Sequence, residues 1–111
     1  MAQRKSPATA ADPVLLERVK AIVRRVLAHR AVDVYLFGSW ARGTPRPTSD
    51  IDVAIQSVEP LPRALLASLR EALEESTIPN RVEVVDLAET DAAFRDRVRR
   101  EGILWIASGS V

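Results

Sequence analysis

Residues 50–53 read Asp-Ile-Asp-Val and stand at the head of an apolar run, IDVAIQSV over 51–58. The β-branched content of that run predicts a strand. Strand side chains alternate faces, so Asp50 and Asp52 share one face while Ile51 and Val53 point into the core. Carboxylates are poor strand formers and cost free energy when desolvated. Two of them this close repel, and one would ordinarily stay protonated. A divalent cation removes the conflict, and Mg²⁺ takes carboxylate oxygens together with phosphate oxygens. An exposed edge strand, where acids discourage aggregation, is the simpler explanation for an Asp-x-Asp taken alone.

The rest of the chain says what surrounds this strand. Residues 1–11 are rich in Ala, Ser, Thr and Pro without periodicity and read as a disordered tail. Asp12-Pro13 is a helix start, and Leu15, Val19, Ile22 and Val26 make an apolar stripe that carries the helix over 13–29. VDVYLF (32–37) is a strand that stops at Gly38, and Ser39 to Arg42 can form one helical turn. TPRPTS (44–49) holds two prolines and is loop. A second helix over 62–76 turns Leu65, Leu66, Leu69 and Leu73 inward, with Arg70 and Glu74 spaced as an ion pair. RVEVVDL (81–87) is a third strand. Thr90 caps a helix to Glu101, with Asp91–Arg95 and Asp96–Arg100 as acid-before-base pairs. Gly102 ends it, and ILWIA (103–107) is a last strand whose Trp105 belongs to the core. The order α-β-β-α-β-α-β predicts an α/β (α+β) single domain over 12–107. It has a mixed β-sheet of about four strands with helices packed on it, and a short tail over 108–111.

Composition excludes several classes. With 111 residues the chain holds one domain, and 16 basic against 15 acidic residues give a formal net charge of +1. That balance, with no aromatic platform, argues against nucleic acid as a partner. There is no cysteine, hence no disulfide or thiolate metal site. No apolar run is long enough to span a bilayer and no segment has signal-peptide character, so a cytoplasmic location is expected.

What raises the metal reading of the acid pair is its neighbour in sequence. Gly38-Ser39 follows a strand and precedes a helical turn. Gly38 lets backbone approach a ligand, and free N–H groups with the Ser39 hydroxyl can hold phosphate oxygens. Arg42 lies close to this turn, whereas Arg46 sits between prolines. A phosphate-cradling turn plus a metal-type acid pair on the next strand describes a nucleoside triphosphate held as its metal complex. A two-metal site wants a third carboxylate. Glu83 and Asp86 on the third strand face opposite sides. Glu83, an acid between Val82 and Val84, is the favoured choice, with Asp86 the runner-up because acids are common at strand ends. His29 at a helix end serves the dipole, Trp40 packs under the loop, and the arginines of 95–100 form a solvated face.

Gly38-Ser39, Ala41-Arg42-Gly43 and Ser49-Asp50-Ile51-Asp52-Val53 at this spacing resemble the signature of the minimal nucleotidyltransferases, in the DNA polymerase β-like nucleotidyltransferase superfamily. The likeness runs on through IPNRVEVVDLAETDAAFRDRV and covers about 13–107. It implies a nucleotidyltransferase fold, with Gly38, Ser39, Arg42 and Ser49 around ATP or another nucleoside triphosphate. It implies two Mg²⁺ ions on Asp50, Asp52 and a third acid at Glu83, where the family usually has Asp. It further implies a neighbouring gene for a small all-helical partner of the HEPN type. Such a pair can be a toxin–antitoxin system in which AMP is added to the helical toxin. Too few residues follow Trp105 to build a domain over the base, so a partner is expected to complete the site. Two function classes remain open on these residues: a nucleotidyltransferase, or a catalytically weak module that acts by docking the helical partner.

Overall fold

The computed structural model describes residues 13–108. The tails expected over 1–11 and at the C-terminus, from 109 on, and the Asp12 cap lie outside them. Helix α1 (Pro13–Val26) buries Leu15, Val19 and Val23. It stops three residues short of the expected end because 27–29 form a turn in which His29 takes φ 69, a left-handed conformation incompatible with a continuing helix. Strand β1 (Val32–Phe37) leads into the single turn α2 (Ser39–Arg42), as its Gly38 stop implies. The proline loop then delivers β2 (Ile51–Ser57), followed by α3 (Arg63–Glu74) and β3 (Val82–Asp86). A 3-10 turn (Leu87–Glu89), α4 (Ala92–Glu101) and β4 (Ile103–Ile106) complete the order.

The four strands form one mixed sheet in the order β3-β2-β1-β4, with β1 antiparallel to both β2 and β4 and β2 parallel to β3. One face carries α1 and α3: Val19, Val23, Leu66, Leu69 and Leu73 pack with Val34, Leu36, Ile51, Val53 and Ile55 in a single core. Trp105 packs at the edge of this cluster, partly buried. The opposite face carries α4, whose Val98 and Phe94 meet Ala54, Leu87, Tyr35, Phe37 and Val85.

This two-faced burial fixes the register of β2. Ile51, Val53 and Ile55 are completely buried, each contributing about 1.5–3 kcal/mol relative to exposure. A one-residue slip would turn all of them out of that core and turn Asp50 and Asp52 into it. The acids are held on the α4 face by what lies on the other side of the strand.

Several local expectations are corrected. Asp91, not Thr90, caps α4: its Oδ1 accepts from the Phe94 N–H at 2.8 Å, while the Thr90 hydroxyl donates back to the Leu87 carbonyl at 2.7 Å. Both residue types cap well, and backbone geometry after the 3-10 turn selects the later one. Arg70 does not pair with Glu74. It donates to the Val84 carbonyl at 2.9 Å, satisfying an edge-strand acceptor. Arg95 likewise bonds the Leu87 and Thr90 carbonyls, and Asp96 pairs with Arg99 at 2.6 Å rather than with Arg100.

Candidate functional site

Of the expected site residues, Asp52 lies on β2 and Glu83 on β3, while Gly38 directly follows β1, Ser39 and Arg42 lie in α2, and Ser49 and Asp50 directly precede β2. In the sheet register Phe37 at the end of β1 faces Asp52 on β2, and Asp52 faces Glu83 on β3. Residues paired across a sheet share a face, so Asp52 and Glu83 point the same way. Asp86 pairs with Ile55 and lies on the opposite, α1/α3 side. It is 7% exposed, and its Oδ1 accepts from the Ala88 N–H at 3.0 Å to cap the 3-10 turn. Of the two third-strand acids, only Glu83 shares the face of the pair.

Gly38 sits one residue beyond Phe37 with φ 78 and ψ −155, a region essentially reserved for glycine. A Cβ at this position would lie 3.2 Å from the Asp52 carboxyl carbon and closer still to its Oδ2. The glycine is therefore demanded twice, by its backbone and by the carboxylate that fills the place of a side chain. The phosphate-type turn and the acid pair, separate in sequence, are in contact. Gly38 accepts from the Ala41 and Arg42 N–H groups, each at 3.1 Å, to close α2, and Gly43 ends that turn in the left-handed region at φ 75. Gly38 is the N-cap of α2, which has no side-chain cap hydrogen bond.

Electrostatics show the same gathering. The Asp52 carboxyl is pushed above its ordinary 3.8 by burial first, then by the charges of Asp50 and Glu83, with Arg42 opposing. Three carboxylates and one guanidinium thus act on one another, with too little positive charge to satisfy the acids. That imbalance, on half-buried Asp52 beside a glycine turn, is what a bound divalent cation would correct, and the donor set of hard oxygens fits Mg²⁺. Among the described residues no three acids or histidines already surround a common point. Glu83 Oε1 is engaged by Arg81 at 2.8 Å in a largely exposed pair. Such pairs contribute about 0–1 kcal/mol, so this one opposes a rearrangement of Glu83 only weakly.

Two residues outside the expected set hold the acids in position. Trp40 is 7% exposed and donates from Nε1 to the Ser49 carbonyl at 3.1 Å. Asn80 Nδ2 donates to the same carbonyl at 2.9 Å and to that of Pro47 at 2.8 Å. They clamp the proline loop directly before Asp50. The packing role expected for Trp40 holds, and its indole N–H adds the clamp. Asn80 carries no pattern of its own in the sequence; only its place just ahead of β3 could have pointed to it. Ser49 is built into the same loop, its hydroxyl accepting from the Arg46 N–H at 2.8 Å. Beside the turn, a cavity of about 310 Å³ opens between α2 and α4.

A glycine turn pressed against the strand acid Asp52 on a four-stranded mixed sheet is the arrangement of a nucleotidyl-transfer class of protein. The sequence model of the polymerase beta nucleotidyltransferases matches residues 19–108, and the chain belongs to that family. It is 40% identical over 82 residues to the probable protein adenylyltransferase MntA of Haemophilus influenzae, covering 72% of each chain. A solved minimal nucleotidyltransferase superposes with a TM-score of 0.69 at 34% identity, over 83% of this chain and 93% of that one. A toxin–antitoxin crystal structure with AMP-PNP gives a TM-score of 0.65 at 25% identity, over 81% of this chain and 74% of that one. No helix among the described residues is long and apolar enough to cross a membrane.

Proposed function

We propose that this protein is a Mg²⁺-dependent adenylyltransferase that moves AMP from ATP onto a hydroxyl of a small helical partner protein of the HEPN type, as the antitoxin half of a toxin–antitoxin pair in the cytoplasm. The observation that carries this reading is the contact of Gly38 with Asp52, which sets the proposed phosphate turn against one of three interacting carboxylates. The likeness to a named protein adenylyltransferase and to a toxin–antitoxin complex with an ATP analogue supports the donor and the kind of acceptor.

In this reading Gly38 and Ser39 hold triphosphate oxygens through backbone N–H groups and the Ser39 hydroxyl, and Arg42 adds positive charge. Asp50, Asp52 and Glu83 hold the metal. Bound there, Mg²⁺ supplies charge neutralisation at the reacting oxygens. The acceptor hydroxyl is placed in line with the α-phosphorus by the docked partner, which also excludes water. A site carboxylate, Glu83 by its position, accepts the proton of that hydroxyl.

The test is transfer of label from α-³²P-ATP to the helical product of the neighbouring gene, with Asp52→Asn as control. Labelled partner with the unmodified protein and none with Asp52→Asn supports the enzyme. The Arg81–Glu83 pair, weak as it is, points to a second reading, a module that docks its partner without turnover. An intact complex with no label from the unmodified protein would replace the first reading by that one.

A further inference from the structure

The cavity between α2 and α4 is lined by Gly38, Arg42, Phe94, Arg97, Val98 and Glu101. It shares Gly38 and Arg42 with the proposed phosphate turn, and α4 contributes the opposite wall. The Arg97 guanidinium lies 5.5 Å from the centre of the Phe94 ring. Phe94 is in turn locked edge-to-face against Phe37, with centroids 5.8 Å apart and planes at 86°. Phe37 is the last residue of β1, so the path from the sheet through two rings to the guanidinium is continuous. Arg97 forms no ion pair among the described residues, unlike its neighbour Arg99 on the same helix. An arginine held over an aromatic face but lacking a carboxylate partner is a preorganised cation with its donors free.

We propose that Arg97, on the α4 wall of this cavity, is a further contact for the β- and γ-phosphates of the nucleotide, and for pyrophosphate after transfer, beyond those of the Gly38–Arg42 turn. The inference rests on the adenylyltransferase reading and deepens it. In the step concerned, the acceptor oxygen bonds to the α-phosphorus and the bond from that phosphorus to the α,β-bridging oxygen breaks. The electron pair leaves with pyrophosphate, and the acceptor proton passes to a site carboxylate. Negative charge grows on the departing group, where two guanidiniums on opposite walls stabilise it. A nucleobase is the competing occupant. The Phe94 ring is already covered by Arg97 on one face and met by Phe37, so the free handle in the cavity is the cation rather than an aromatic face. Glu101 at the far end of α4 limits the net positive charge, which suits release of the product.

The experiment uses the full chain in Mg²⁺ buffer and measures binding of ATP, AMP and inorganic pyrophosphate by calorimetry for the unmodified protein, Arg97→Ala and Arg97→Lys. Arg97 is exposed, so both variants are expected to fold, and a thermal melt checks this. Loss of one charge-assisted contact weakens ATP and pyrophosphate about tenfold in Arg97→Ala and leaves AMP within about twofold. Arg97→Lys recovers part of the loss, and the difference shrinks in high salt. Equal weakening of ATP and AMP would assign the cavity to the nucleobase and overturn the proposal. Unchanged ATP and pyrophosphate binding in Arg97→Ala would overturn it while leaving the adenylyltransferase reading intact. An unmodified protein that binds none of the three would overturn both.

Discussion

Gly38→Ala strikes the point where turn and acids meet, and its two costs can be separated. The backbone cost comes from φ 78 and ψ −155. Holding a residue with a Cβ there costs about 1–3 kcal/mol. Each kcal/mol lowers the melting midpoint of a domain this size by roughly 4–8 °C, so a fall of about 5–20 °C is expected. The steric cost falls on Asp52, whose carboxyl carbon would lie 3.2 Å from the new Cβ, with Oδ2 closer. Rotation of the Asp52 side chain relieves that contact cheaply for the fold but moves a proposed metal ligand. Transfer activity, measured well below the melting midpoint where the variant remains folded, is therefore expected to drop far more than stability does. Calorimetric Mg²⁺ binding should weaken alongside it. In an Asp52→Ala background the steric part disappears and only the backbone cost remains, which a double-mutant cycle reads directly. A Gly38→Ala protein with an unchanged melt and unchanged transfer would refute both the positive φ and the contact with Asp52.

Other perturbations probe the same cluster. Asp52→Asn is expected to abolish label transfer yet raise the melting midpoint in chelator, since it removes a carboxylate penalised by burial, Asp50 and Glu83. Because the folded Asp52 pKa lies above its unfolded value, metal-free wild type should gain stability as pH falls through the raised value toward 3.8, a gain missing in Asp52→Asn. A lower midpoint for Asp52→Asn in chelator would contradict the crowding of the acids. Glu83→Gln and Asp86→Asn should part company: the first lowers transfer with little effect on the melt, whereas the second keeps an Oδ1 acceptor for the Ala88 N–H and leaves both transfer and the melt nearly unchanged. Loss of transfer only in Asp86→Asn would reverse the choice of third acid. Asn80→Ala removes two donors from the carbonyls of Pro47 and Ser49, costing about 1–2 kcal/mol. Its signature is faster hydrogen exchange over 44–50 with reduced transfer, and unaltered exchange there would deny Asn80 its clamping role.

What could be read from residues alone was local and periodic. The strands over 32–37, 51–57 and 82–86 were visible because β-branched runs end at turn residues, and α3 because its leucines recur at helical spacing. The acid pair and the glycine turn were visible because carboxylates in a strand and a glycine at its end need a reason. The choice of Glu83 over Asp86 followed from alternation, and the register agrees that it faces with Asp52. Side-chain partners were less legible, since Arg70 and Arg95 reach backbone carbonyls of segments that no helical spacing anticipates. Only the tertiary structure decided that Gly38 and Asp52 touch, that Asn80 and Trp40 hold the loop between them, and that Arg97 and Arg42 line one cavity. The physical reason is the same in each case. Composition and period determine which face of an element is buried, but contacts between residues far apart in the chain depend on how the sheet orders its strands. Here β2 lies between β1 and β3, and that placement sets Asp52 beside the Gly38 turn and in register with Glu83.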